Sequence, residues 1–159
     1  MRFTNDIAVF GNRNFRGKCP RESVEQVTLF AEIRRRWPDT IGAIAIHPRN
    51  EQQLRGGQFS TMARSKAEGM QKGAPDCVIP GSPALLIELK RRDHTKSKWQ
   101  DGQQEYLRAA QLCGATVCVA LGWEGAMLAI EEWHARYVVT GMWCHCVRSA
   151  GLGGRHAGD

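Results

Sequence analysis

From Asp76 to Lys90 the chain reads DCVIPGSPALLIELK, two short apolar runs separated by Pro80, Gly81, Ser82 and Pro83. This predicts a β-hairpin, Asp76–Ile79 and Ala84–Lys90, with a four-residue connection. A strand as apolar as Ala84-Leu85-Leu86-Ile87 belongs in the middle of a sheet, and charge at its C-terminal end then needs a partner or a chemical role. Residues two apart on a strand share a face at ~6.6–6.8 Å, so Glu88 and Lys90 project together while Leu89 turns to the other side. Neighbouring strands lie ~4.8 Å apart, so Asp76 can stand beside Glu88 if the register matches. Two such carboxylates suit a hard cation such as Mg²⁺, which takes one or two carboxylates and keeps several waters. Lys90 beside them could position a water or stabilise charge on a phosphate. Each residue alone has a plainer reading. An Asp after Pro75 is commonly a turn residue, and a Glu and Lys two apart are commonly a solvated strand face. Their combination on one buried hairpin points to chemistry.

The remaining pattern gives the hairpin its setting. Residues 1–19 alternate polar and basic positions with Phe3, Phe10 and Phe15 and read as an N-terminal arm without an assigned element. Pro20 to Trp37 has helical apolar spacing through Val24, Val27, Phe30, Ala31 and Ile33, and Pro38 follows its end. Residues 41–47 read as a short strand, 48–57 as a polar loop with Arg49 and Asn50, and 59–70 as a second helix. A helix over 99–113 stops at Gly114, 115–121 is a buried strand, and 123–134 is a helix with Trp123, Ala126, Met127, Ile130 and Trp133 on one face. The order predicts an α/β domain over 20–140, a mixed sheet with helices on both faces. Residues 141–159 form a C-terminal extension whose Gly-rich end is expected to be flexible.

Charge narrows the partner. Lys and Arg total 22 against 16 Asp and Glu, and residues 1–72 carry 13 basic and 7 acidic side chains, the whole excess of +6. A basic half facing a polyanion makes nucleic acid the expected partner, against the plainer reading of an ordinary basic protein. No apolar run approaches the ~18 residues of a membrane span and no signal-peptide core is seen, so a cytoplasmic location is expected. The six cysteines form no CxxC pair. In a reducing compartment they read as small apolar residues. Cys144-His145-Cys146, with His134 and His156, lacks the spacing of structural zinc sites. Arg34-Arg35-Arg36 reads as the solvated end of a helix, where cations are favoured.

Gly73-Ala74-Pro75-Asp76 followed by Leu86-Ile87-Glu88-Leu89-Lys90 resembles the signature of the PD-(D/E)xK nuclease superfamily, with its restriction-endonuclease-like core. The run Gln103-Gln104-Glu105-Tyr106-Leu107-Arg108-Ala109-Ala110, then Gly114-Ala115-Thr116-Val117, is similar to the VRR-Nuc branch. That branch is common in bacteriophages and also occurs in a eukaryotic DNA-repair nuclease. The similarity covers roughly residues 20–134, with Ala74 where many relatives carry Val. It implies a Mg²⁺- or Mn²⁺-dependent endonuclease in which Asp76 and Glu88 bind metal with the Leu89 carbonyl and Lys90 is the catalytic lysine. It also implies a glutamine facing the site, for which Gln104 fits with Gln103 as the alternative. On the first helix it implies a glutamate near the metal, Glu25 with Glu22 as the alternative. The plainer reading of both glutamates is complementarity to the helix dipole.

The resemblance further implies a homodimer acting on branched DNA such as Holliday junctions, a two-fold arrangement suited to a junction. Arg91, Arg92, Lys96 and Lys98 follow the site directly and are expected nucleic-acid contacts, together with Lys72, Arg49 and Asn50. Two rival readings stand beside this one. A non-catalytic nucleic-acid-binding module would gain nothing from presenting Asp76 and Glu88 to phosphate. A nuclease for nicked or linear DNA in restriction or packaging would differ only in its preferred substrate.

Overall fold

The structure is a computed structural model that describes residues 1–48 and 64–139. In chain order the elements are β1 (Ala8–Phe10), α1 (Glu22–Arg36), α2 (Ile41–Ile44), β2 (Cys77–Ile79) and β3 (Leu85–Lys90). A 3-10 turn (His94–Lys96), α3 (Gln103–Leu112), β4 (Thr116–Leu121), α4 (Gly122–Trp133) and a π-helical stretch (His134–Val139) follow. The sheet order is β1-β4-β3-β2, with β2 antiparallel to β3 and the other neighbours parallel. This is the mixed α/β architecture with helices on both faces that the element order implies.

The period-2 alternation of β3 and β4 divides the core into two layers. Leu85, Ile87, Leu89, Cys118 and Ala120 face α1 and α4, where they meet Leu29, Ile33, Met127 and Ile130. Leu86, Val117, Val119 and Leu121 face α3 and pack with Leu107 and Ile7. All six residues of β3 are buried, as its composition requires of a central strand. Cys77 and Cys118 are buried in the first layer, and Cys19 and Cys113 are also free thiols. No helix among the described residues is long and apolar enough to cross a membrane.

Three local expectations change. Residues 8–10 of the expected arm are strand β1, which pairs with β4 from Ala8↔Cys118 to Phe10↔Ala120. The strand expected over 41–47 is instead α2 followed by a single bridge, Ile46↔Val78. A Cβ on Gly42 would fall 2.7 Å from the Trp37 carbonyl and 2.8 Å from the Arg34 Cα, so this glycine lets α2 fold back on the end of α1. Only residues 64–67 of the helix expected over 59–70 are described as helical, and 59–63 lie outside the described residues. The hairpin forms, with both strands starting one residue later than expected: Asp76 precedes β2 and Ala84 belongs to the connection. The 48–57 loop beyond Pro48, the Cys-His-Cys segment and the Gly-rich end lie outside the described residues.

Candidate active site

The hairpin register pairs Cys77 with Ile87, so Asp76, immediately before β2, enters beside the Glu88 end of β3. Asp76 Oδ2 accepts the Leu89 N–H at 2.9 Å, and its main-chain carbonyl accepts Gln26 Nε2 at 3.2 Å and faces His47 Nδ1 at 2.8 Å. The Asp76 side chain is thereby tied to β3, and its main chain to α1 and the segment after α2. Leu89 itself points into the α1/α4 layer.

Glu88 and Lys90 are 0% and 1% exposed, so their charges must be satisfied within the protein. Glu88 Oε1 accepts Lys90 Nζ at 2.7 Å and Gln103 Nε2 at 2.5 Å. Gln103 Oε1 in turn accepts Lys90 Nζ at 3.0 Å and the Gln100 N–H at 2.8 Å. Both of those groups can only donate, which sets the amide orientation and turns Nε2 toward Glu88. Trp99 covers the lysine, with Nζ 5.5 Å from the ring centroid.

One atom of this buried network has no partner. Glu88 Oε2 is enclosed and makes no hydrogen bond. Burial, followed by the facing Asp76 carboxylate, pushes the Glu88 carboxyl above the usual range against the opposing pull of Lys90. Burial likewise raises Asp76, partly opposed by the Leu89 N–H and Lys90. Two acids that repel each other, one with an unused oxygen, form a donor set that a hard cation would complete. Among the described residues no group of three or more His, Cys, Asp or Glu could hold a metal by itself. The available set is therefore two carboxylates supplemented by backbone or water oxygen.

Gln103 reaches this network, whereas Gln104 does not. One residue on is about 100° round a helix, so the two glutamines cannot share a direction. The α1 expectation shifts in the same way. Glu22 lies in the electrostatic field of Asp76 and Glu88, and its Oε1 accepts Ser97 Oγ at 2.6 Å. Glu25 instead accepts the Trp123 N–H at 3.0 Å at the start of α4, and burial raises its carboxyl. An i, i+3 pair offered both glutamates, and the tertiary placement of α1 gives them different partners.

The expected phosphate contacts are placed differently from one another. Arg91 donates to the Cys19 carbonyl at 2.9 Å. Arg92 stands 4.5 Å over Phe15 and 3.3 Å from Glu124. Lys96 holds the Gly17 carbonyl and lies 3.5 Å from Asp93. Lys98 is exposed, while Lys72 pairs with Asp101. Arg49 and Asn50 lie outside the described residues. Sequence reading missed that the 91–98 loop grips the N-terminal segment. Only the many basic residues of both stretches hinted at a shared surface.

A solved structure described as a VRR_NUC domain protein matches this chain with a TM-score of 0.59 and 20% identity, over 74% of this chain and 91% of that one. The chain therefore has the VRR_NUC fold. No family model and no curated protein matches it.

Proposed function

We propose that the chain is a nuclease of the VRR-Nuc family that hydrolyses DNA phosphodiester bonds with Mg²⁺ or Mn²⁺. The observation that carries this reading is the unpartnered Oε2 of Glu88, a carboxyl close enough to Asp76 to feel its charge, with Lys90 held beside it by Gln103. Asp76 and Glu88 would hold the cation, which would supply Lewis acidity and a more acidic bound water. Asp76 is oriented by the Leu89 N–H, and Glu88 by Gln103. Lys90 Nζ lies 2.7 Å from Glu88 Oε1, where a preorganised donor can stabilise charge developing on phosphate. The resemblance extends the proposal to branched DNA cut by a homodimer.

A four-way junction, a flap, a nicked duplex and a linear duplex, each incubated with Mg²⁺, Mn²⁺ or EDTA, test the reading. Cleavage should require divalent metal and disappear in Asp76→Asn and Glu88→Gln. The junction should be the preferred substrate. Metal-independent cleavage, or full activity in both variants, would overturn the site assignment. Preference for linear or nicked duplex would overturn only the branched-DNA component.

A further inference from the structure

β1, β3 and β4 are parallel, so their C-terminal ends lie on one edge of the sheet, the edge where Lys90 sits and where open α/β sheets bind ligands. The segment leaving β1, residues 11–21, carries Arg13, Arg16, Lys18 and Arg21 and no acid. The segment leaving β3, residues 91–98, carries Arg91, Arg92, Lys96 and Lys98 with Asp93 as its one acid. Together they place eight cations and one carboxylate beside the candidate site.

The two segments are built into one surface. The Gly17 N–H donates to Asp93 Oδ2 at 3.1 Å, Lys96 donates to the Gly17 carbonyl, and Arg91 donates to the Cys19 carbonyl. His94 Nε2 meets the Arg13 carbonyl at 3.1 Å, and Arg92 stacks on Phe15. Many cations of the second segment are therefore spent on bracing the first. Arg13, Arg16, Lys18 and Arg21 are all exposed, and none forms an ion pair among the described residues. Arg16 bonds only to backbone carbonyls of its own segment, which leave its charge uncompensated. A concentration of unneutralised cations on a braced backbone fits a regularly spaced polyanion.

We infer that the N-terminal segment is a phosphate-contacting strap for duplex DNA, with Arg13, Arg16, Lys18 and Arg21 as its backbone contacts and the 91–98 loop as its brace. This rests on the nuclease reading, because the strap lies on the edge that holds Asp76, Glu88 and Lys90.

The test is binding of the full chain to a fluorescent linear duplex in EDTA, where cleavage plays no part, across a series of KCl concentrations. The triple variant Arg13→Gln, Arg16→Gln, Lys18→Gln should bind more weakly by at least about 10-fold. It should also reduce the log–log salt slope by about 2–3, at about 0.9 per phosphate contact. The triple variant Arg34→Gln, Arg35→Gln, Arg36→Gln makes the same charge change at the far end of α1, ~20 Å along the helix, and should leave the slope unchanged. Lys18 makes no hydrogen bond or ion pair among the described residues. Lys18→Glu therefore gives a second readout without disturbing the brace, and it should lower the slope by about 1. An unchanged slope in the first triple and in Lys18→Glu, or equal losses in both triples, would overturn the strap and leave metal-dependent cleavage standing. Wild-type protein that fails to bind duplex would overturn the strap, and loss of all cleavage would separately overturn the nuclease reading.

Discussion

At the scale of single residues, the site depends on a lysine and a glutamate that are buried as a pair. Removing one partner of such a pair leaves the other charge uncompensated. Lys90→Ala should lower single-turnover cleavage by about 10²–10³-fold, the loss expected for one preorganised donor. Divalent binding should persist in that variant, since an ammonium is not a ligand. Asp76→Asn should lose cleavage and metal binding together. Isothermal titration of Mn²⁺ beside cleavage rates separates these patterns, and wild-type cleavage by Lys90→Ala would remove the lysine from the chemistry. Lys90→Arg should not rescue, because the planar guanidinium cannot occupy the position of a compact ammonium between Glu88 and Gln103. The glutamines give a sharper contrast. Gln103→Leu removes the bridge between Glu88 and Lys90 and should cost about 10–100-fold, the range for residues that orient ligands. Gln104→Ala should stay within about twofold, since Gln104 lies in another direction on the helix. The reverse order of losses would show that α3 is rotated from the orientation described above.

At the scale of elements, what was legible in the sequence was whatever a local period could report. The β2–β3 hairpin, the buried β4 and the apolar faces of α3 and α4 follow from spacing, whereas on α1 only Phe30 and Ile33 of the expected stripe are buried, Val24, Val27 and Ala31 are exposed, and Leu29 takes the core position. The Asp76–Glu88 juxtaposition follows from hairpin register. β1 is too short to show a period, and its three residues become a strand only because β4 offers an unpaired edge. The run over 41–47 is equally ambiguous by period, and the close packing of Gly42 on the end of α1 decides it. The choice of Gln103 over Gln104 depends on helix rotation, which sequence spacing leaves open by one position, and the different partners of Glu22 and Glu25 depend on how α1 lies against the rest of the fold. Part of the α3 placement is fixed by Gly73, whose φ is +75° and whose added Cβ would lie 2.2 Å from the Gly102 carbonyl group. Gly73→Ala should therefore incur backbone strain of about 1–3 kcal/mol and a clash that displaces the start of α3. Gly114 has a similar φ of +88° but open space around it. Gly114→Ala should thus show strain alone, seen as a lower melting temperature with cleavage retained. Gly73→Ala should lower both. Equal cleavage in the two variants would mean that the Gly73–Gly102 approach does not position Gln103.

At the scale of the whole molecule, the N-terminal residues are part of the fold. Ile7 is buried with Leu107 and Val119, Asp6 pairs with Arg108 at 2.8 Å, and Trp99 Nε1 donates to the Arg2 carbonyl at 2.9 Å. Asp93 is the junction between this region and the loop after β3. Its carboxylate accepts the Thr95 hydroxyl at 2.6 Å, the Thr95 N–H at 3.2 Å and the Gly17 N–H at 3.1 Å, with Lys96 nearby. These donors, led by the Thr95 hydroxyl, hold the Asp93 carboxyl below the usual carboxylate range. A depressed folded-state pKa contributes stability that is fully present above the unfolded value of about 3.9 and is lost as pH falls through the folded value. Asp93→Asn should therefore be less stable than wild type by a constant margin from neutral pH down to about pH 5. Below about pH 4 the margin should shrink, as Asp93 of the unfolded wild-type chain takes up a proton that the folded carboxylate resists. The other carboxylates titrate in both proteins, so the difference between the two melting curves isolates this one. Hydrogen exchange at the Gly17 amide locates the effect, with faster exchange in Asp93→Asn at neutral pH and convergence with wild type in acid. A margin that persists undiminished to pH 2 would show that the shape of the Asp93 side chain, and not its charge, joins the N-terminal segment to the sheet edge.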